Sequence, residues 1–179
     1  MAERLTKKQR SSLEELKQIR DLLRLDFDNI HEFPSDSRTI SLEVMKNKLI
    51  RGQIIAWYTL VDEFLTNRIC RYFFGKKRTF PQLWRTKKFQ VFNYHIIESI
   101  SLLAKLRLVK AISPIPKSLA ADIEQLNFLR NGLAHSFFPE NLRSSKPFWK
   151  GKNVFSIDGL RCLESDLNKV FTYFYLDEP

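Results

Sequence analysis

Cysteine and glycine are scarce in this chain of 179 residues, which contains two cysteines and five glycines. Cys70 and Cys162 lie far apart in the sequence and form no Cys-x-x-Cys pair. Neither has the spacing of a zinc ligand with the three histidines, His31, His95 and His135. We therefore expect no structural metal site, and we interpret the two cysteines as buried free thiols.

Long apolar stretches are missing as well. The longest charge-free segments, such as residues 52–61, fall well short of the roughly 18 residues that a membrane-spanning helix needs. The first ten residues, MAERLTKKQR, contain no apolar segment of the kind found in a secretory signal. These absences predict a cytoplasmic protein with no membrane partner.

Basic residues, in contrast, are in excess. The chain has 30 Lys and Arg against 20 Asp and Glu, which gives a formal net charge of +10. A charge of this sign and size favours a polyanionic partner, in the order nucleic acid, acidic protein and anionic membrane surface. The alternative is a protein that is basic without having any such partner.

Apolar residues recur every three or four positions, which predicts an all-α fold. We expect a bundle of about five helices in a single domain, residues 1–179, with residues 1–10 as a candidate disordered tail. The first helix should begin near Ser11 and end before Pro34. The others should cover about 41–74, 89–109, 117–137 and 159–175, with a short extended segment at 153–157.

One of these helices carries a permanent cation on its apolar face. Arg130 lies in the series Leu119, Ile123, Leu126, Leu133 and Phe137, which repeats every three or four residues. In a structural interpretation, Arg130 is a helix-terminal cation that pairs with Asp62 or Glu63, and His135 is an ordinary helix-terminal histidine. In a functional interpretation, Arg130, Asn131 and His135 converge near the helix end, where Gly132 leaves room for another group.

The segment RNGLAH, residues 130–135, resembles the Arg–polar–three residues–His motif of HEPN domains (higher eukaryotes and prokaryotes nucleotide-binding). The resemblance extends over about residues 40–175 and implies an HEPN-like helical bundle. It also implies that Arg130 and His135 are catalytic and that Asn131 supports them. One HEPN subfamily has a tyrosine, modified by a partner nucleotidyltransferase, two residues after the histidine. This chain has Phe137 there, so that partnership is not expected.

Many HEPN proteins are metal-independent ribonucleases that act as dimers, often as toxins or antiviral effectors. Others have lost catalysis and bind a protein, a nucleotide or a nucleic acid. The residue types suit the first activity, since RNA is cleaved without metal when its own 2′-OH attacks the neighbouring phosphate. Histidine can transfer the protons near neutral pH, and arginine can bind the phosphate and stabilise its charge. No cofactor is expected.

Two basic segments contain aromatic residues, a combination suited to single-stranded RNA because cations contact phosphates and rings stack on bases. In residues 73–89 the candidate RNA-binding residues are Lys76, Lys77, Arg78, Trp84, Arg85, Lys87 and Lys88. In residues 143–152 they are Lys146, Trp149 and Lys150. In the alternative interpretation, both segments are solvated loops whose rings pack back onto the bundle.

Three hypotheses follow from the sequence. The chain is a ribonuclease of HEPN type, a non-catalytic HEPN-like module, or a basic helical nucleic-acid binder unrelated to HEPN domains. The first hypothesis predicts RNA as substrate, a homodimer, and an antitoxin or another regulatory protein as a further partner. A dimer would also account for Arg130 on the apolar face, since two copies of this face would place two arginines and two histidines at one phosphate.

Overall fold

The computed structural model describes residues 6–23, 25, 27–75, 79–135 and 147–176, and of His135 it describes the backbone alone. The chain divides into two compact units, Met1–Leu49 and Ile50–Pro179. The prediction of an all-α fold is confirmed, since helices account for most of the described residues. None of the helices in these ranges has the length and apolar character needed to cross a membrane.

The first unit contains helix α1, Lys7–Leu22, a single 3₁₀ turn at Ile30–Glu32, and the beginning of helix α2. Helix α1 begins earlier than predicted because Thr6 and Gln9, rather than Ser11, form the capping box at its start. It therefore includes part of the segment predicted to be a disordered tail. The apolar residues of α1 and the turn after it are exposed, among them Leu13, Leu16, Ile19, Leu22, Leu23 and Phe27.

Helix α2 is the longest element, with 37 residues from Arg38 to Phe74, and it continues from the first unit into the second. Gly75 follows with a positive φ of 76°, so the glycine predicted to stop this helix does so. The second unit also contains α3, Phe80–Trp84; α4, Lys87–Phe92; α5, Leu102–Ile112; α6, Lys117–His135; and α7, Ile157–Leu176.

The third predicted helix, 89–109, is divided in the structure. Helix α4 passes into a π-helical turn, Asn93–Ile97, and α5 begins only at Leu102. The Ser101 hydroxyl accepts a hydrogen bond from the Ala104 N–H and so caps the start of α5. With α3 added, the described residues form seven α-helices rather than about five.

The core of the second unit lies between the second half of α2 and helices α5, α6 and α7. These helices contribute regularly spaced side chains with little or no exposure, including Ile54, Val61, Leu65, Leu106, Ile123, Leu126, Leu163 and Leu167. Cys70 is buried, and its thiol has a pKa raised by burial to about 11. Cys162 is half-buried, and neither cysteine is in a disulfide.

A small antiparallel hairpin precedes α7. Strand β1, Phe148–Trp149, pairs with β2, Lys152–Asn153. Lys150 and Gly151 connect them with φ values of 45° and 83°, the two positive angles of a tight hairpin turn. Of the extended segment predicted at 153–157, only Asn153 lies in a strand, because residues 154–156 form turns and Ile157 begins α7. Gly159 follows at the start of α7, where any Cβ would overlap the Asn153 carbonyl.

Candidate active site

The apolar face predicted around Arg130 is present on α6. Leu119, Ile123, Leu126 and Leu133 are buried in the core, and Arg130 is half-buried in the same series. Phe137 lies outside the described residues. The cation is therefore at the border of the core, where its stem packs among apolar groups and its guanidinium is partly solvated.

The guanidinium of Arg130 lies over an aromatic ring. Its central carbon is 5.2 Å from the centroid of the Tyr58 ring on α2, a cation–π distance. Its Nη1 donates a hydrogen bond of 3.2 Å to Oδ1 of Asn131. Among the described residues it forms no ion pair, and Asp62 accepts from the buried ammonium of Lys105 at 2.6 Å. A charge that is held but not neutralised is available to an anionic ligand.

The Tyr58 hydroxyl is influenced electrostatically by both Arg130 and Asp62. Burial raises the pKa of the Tyr58 hydroxyl, Arg130 opposes this effect and Asp62 adds to it. The phenol therefore stays protonated at neutral pH and can donate a hydrogen bond. Of the two partners that the structural interpretation gave to Arg130, Asp62 and Glu63, neither is bonded to it.

The last turns of α6 are attached to α2 by a second arginine. Arg51 donates through Nη1 to the carbonyl oxygen of Leu133 at 2.5 Å. Carbonyl groups at the end of a helix lack partners within the helix, and a cation there also interacts favourably with the helix dipole. His135 is the last residue of α6, two positions after this contact, and its side chain lies outside the described part of the chain.

A cavity of about 490 Å³ is lined in part by Tyr58. Its lining combines carboxylates, rings and small polar groups from α2, the segment 80–102 and α5, and it includes Asp62, Glu63, Thr66, Trp84, Glu98 and Lys105. Tyr58 belongs both to this lining and to the contact with Arg130, so the cavity and the predicted catalytic arginine are adjacent.

Parts of the first basic segment are exposed in the way that RNA binding requires. Arg85, Lys87 and Lys88 are exposed, and the Trp84 side chain is 38% exposed. Phe89, in contrast, is buried, so the interpretation in which the rings pack onto the bundle applies to this residue. Lys76, Lys77 and Arg78 lie outside the described residues.

The second basic segment differs more from expectation. The prediction that Trp149 stacks on RNA bases is wrong, because the side chain has no exposed surface and is part of the core. Its indole Nε1 donates to Asp166 at 3.0 Å. Lys146 lies outside the described residues.

Lys150 is engaged by two acidic residues of the bundle. Its ammonium lies 2.8 Å from Asp122 and 2.7 Å from Asp166. Burial alone would lower the pKa of Lys150, but the hydrogen bonds to these two carboxylates raise it. Its role as a phosphate ligand stays a prediction, and its observed contacts hold the hairpin against α6 and α7.

Sequence reasoning missed Arg51 and Tyr58, the two α2 residues that hold the end of α6. A signal was present, because Arg51, Tyr58 and Asp62 are seven and four residues apart and share one helical face. This polar stripe runs beside the apolar series Ile54, Val61 and Leu65. Its spacing alone gives no indication of which partner each residue contacts.

The described residues contain no group of three or more His, Cys, Asp or Glu side chains that could hold a metal ion. No protein-family model matches the chain, and neither the curated proteins nor the solved structures include a significant match to it.

Proposed function

We propose that this protein is a metal-independent endoribonuclease of HEPN type that cleaves RNA by attack of a 2′-OH on the adjacent phosphate. The observation that carries this proposal is the half-buried guanidinium of Arg130, which is fixed against Tyr58 and Asn131 and has no carboxylate partner among the described residues. A fixed and unneutralised guanidinium is suited to a phosphate, to which it can donate two parallel hydrogen bonds.

The three residues of the motif then have separate roles. Arg130 binds the scissile phosphate and stabilises the charge that grows on its oxygens. His135 transfers a proton, either from the attacking 2′-OH or to the departing 5′-oxygen. Asn131, which already accepts from Arg130 at 3.2 Å, keeps the guanidinium directed toward the phosphate.

The proposed enzyme is a homodimer. Phe128, on α6, has 69% of its surface exposed. It lies three and seven residues before Asn131 and His135, so all three occupy one face of the helix. An exposed aromatic on the face that carries Asn131 and His135 favours a two-fold interface there, since such an interface brings the same residues together twice. Two protomers would supply one histidine as base and the other as acid.

The test is cleavage of a single-stranded RNA that contains all four bases, with and without excess EDTA. We expect cleavage to continue in EDTA and to leave 2′,3′-cyclic phosphate ends, detected by mass spectrometry. His135→Ala should abolish it. His31→Ala is the matched control, because His31 is exposed and belongs to the first unit.

Two results would contradict the proposal. Activity that EDTA abolishes and Mg²⁺ restores would indicate metal-dependent catalysis. Full activity of the His135→Ala variant would show that the motif is not the catalytic site. An intact, folded protein that cleaves no RNA under either condition would instead favour the non-catalytic module.

A further inference from the structure

The cavity beside Tyr58 is acidic, although the chain as a whole has a net charge of +10. Three carboxylates line it, those of Asp62, Glu63 and Glu98, against the single ammonium of Lys105. Local negative charge in a basic protein favours a ligand group that donates hydrogen bonds or carries positive charge. Its volume of about 490 Å³ is within the range of small-molecule and nucleotide sites.

Some polar groups of this cavity have hydrogen-bond or ion-pair partners and others have none among the described residues. Asp62 accepts from Lys105 at 2.6 Å, and Glu98 accepts from the Nδ2 of Asn93 at 2.6 Å. Among the described residues, Glu63 has no hydrogen-bond or ion-pair partner, and neither has the hydroxyl of Thr66. Thr66 is 9% exposed, so its unpartnered hydroxyl is in a nearly buried side chain of the cavity wall. A hydroxyl in this position can form a hydrogen bond with a ligand in the cavity.

Glu63 and Thr66 are three residues apart on α2 and therefore lie next to each other on its surface. Together they offer a carboxylate, which accepts two hydrogen bonds, and a hydroxyl, which donates one. The cavity also has an aromatic platform. Trp84 is partly exposed in its lining and is supported by Phe89 and Tyr94, with ring centroids at 5.2 and 5.8 Å.

We infer that this cavity binds a guanine base of the RNA substrate, stacked on Trp84, with its Watson–Crick edge directed to Glu63 and Thr66. The inference rests on the proposed function in that it takes the ligand to be single-stranded RNA. Unpaired bases are recognised in this way, by stacking on an aromatic ring together with hydrogen bonds to the exposed edge.

Guanine is the base whose edge matches these groups. Its N1–H and N2 amino group are adjacent donors that a carboxylate accepts together, and its O6 accepts from a hydroxyl. Adenine and cytosine would each direct a ring-nitrogen acceptor at the carboxylate, and uracil offers only one donor between two acceptors. A cationic protein would suit the carboxylates but would be repelled by the net charge of +10. RNA matches both features, because its phosphates are attracted by the net positive charge and its guanine base donates hydrogen bonds to the acidic cavity.

The adjacent site gives this base a defined relation to the cleaved bond. Tyr58 lines the cavity and also contacts Arg130, the proposed phosphate ligand. A base in the cavity and a phosphate at Arg130 can therefore belong to the same strand. The cavity would then set which RNA sequence is cut, while the motif on α6 performs the cleavage.

The experiment measures binding without cleavage. Fluorescent pentamers of 2′-O-methyl uridine carry a single central G, A or C, and their dissociation constants are determined by fluorescence anisotropy. The methyl group blocks the attacking 2′-OH, so the result does not depend on catalysis. We expect wild type to bind the G-containing pentamer about tenfold or more tightly than the others, the scale of a bidentate base contact.

Glu63→Gln should remove this preference, because the amide presents a donor where guanine also has one. Glu164→Gln, which changes an exposed acid on α7, should leave it intact and is the matched control. Thr66→Val should weaken binding of the G-containing pentamer alone, and melting curves will show that each variant is folded. Equal binding of all pentamers by wild type, or an undiminished G preference in Glu63→Gln, would overturn the inference.

Failure of this inference is distinguishable from failure of the proposed function. RNA cleavage without any base preference would contradict the proposed guanine site but would be consistent with the proposed ribonuclease activity. Conversely, a G preference that Glu63→Gln removes, in a protein that cleaves nothing, would support the cavity and argue against catalysis.

Discussion

Replacing Arg130 by alanine should abolish most of the activity while the protein stays folded. The side chain is half-buried, and its described contacts are the Tyr58 ring at 5.2 Å and the Asn131 oxygen at 3.2 Å. A cation–π contact of this kind contributes about 0.5–2 kcal/mol, and a hydrogen bond about 1 kcal/mol. The free energy of unfolding should therefore fall by about 2 kcal/mol.

This loss corresponds to a measurable fall in melting temperature. For a chain of this size, 1 kcal/mol lowers the melting temperature by about 2–4 °C, so Arg130→Ala should melt about 4–8 °C below wild type. The variant would stay folded at 25 °C. Circular dichroism in a thermal scan measures this shift directly.

The effect on the cleavage rate should be much larger. Losing the group that stabilises charge on the phosphate typically lowers the rate by about 100-fold or more. Arg130→Lys should fall between wild type and Arg130→Ala, because lysine keeps the charge but not the two parallel donors. Rates are measured on fluorescent RNA at 25 °C in the presence of EDTA.

The matched control is Arg161→Ala, which removes the same charge from an exposed position on α7. It should cleave RNA at close to the wild-type rate. The reasoning is refuted if Arg130→Ala cleaves as fast as Arg161→Ala, or if it loses activity only because it is unfolded at the assay temperature.

Three further predictions concern the dimer, the acidic core residue and the basic segment. An excess of His135→Ala chains mixed with wild type should inactivate the mixed dimers, whereas full activity per wild-type chain in isolated heterodimers would exclude a shared site. Burial alone would raise the pKa of Asp166, but hydrogen bonds from Lys150, Lys169 and Trp149 lower it well below its ordinary value of 3.8. The unfolded state therefore binds more protons in acid than the folded state does. The free energy of unfolding, measured with urea, should fall from about pH 5 to pH 3. An equal fall in Asp166→Asn would show that Asp166 is not the cause of this pH dependence. Replacing Lys87 and Lys88 by glutamine should lower the log–log salt slope of RNA binding by about 0.7 for each lost phosphate contact, and an unchanged slope would mean that neither lysine contacts RNA.

The helical fold was predictable because its signals are local. The apolar series of α2 and α6 and the glycine at position 75 depend only on neighbouring residues, and the structure agrees with them. The break at Asn93–Ile97 was not predictable in the same way, because an apolar spacing of three or four continues through the π-helical turn. The hydroxyl of Ser101 decides where α5 begins, and serine also occurs inside helices.

The chemistry of the two basic segments was less predictable than their composition. Trp84 and Trp149 each lie beside lysines or arginines, yet the first is 38% exposed and the second has no exposed surface. Trp149 packs in the core, where Asp166, seventeen residues later in the chain, accepts its indole N–H. Such a long-range partner leaves no trace in the local sequence.

Helix α2 explains why a permanent cation is tolerated on the apolar face of α6. Arg51 contacts the Leu133 carbonyl, and Tyr58, later on α2, contacts Arg130, which is earlier on α6. The two helices therefore run antiparallel. An aromatic face offers Arg130 a favourable surface without neutralising it, which a carboxylate at the same place would do. Thr66, in the cavity wall, lies eight residues after Tyr58 on α2, which is about 12 Å at the rise of an α-helix. One rigid helix therefore fixes the spacing between the proposed phosphate ligand and the proposed base site, so a change that bends α2 between them should impair base preference and cleavage together.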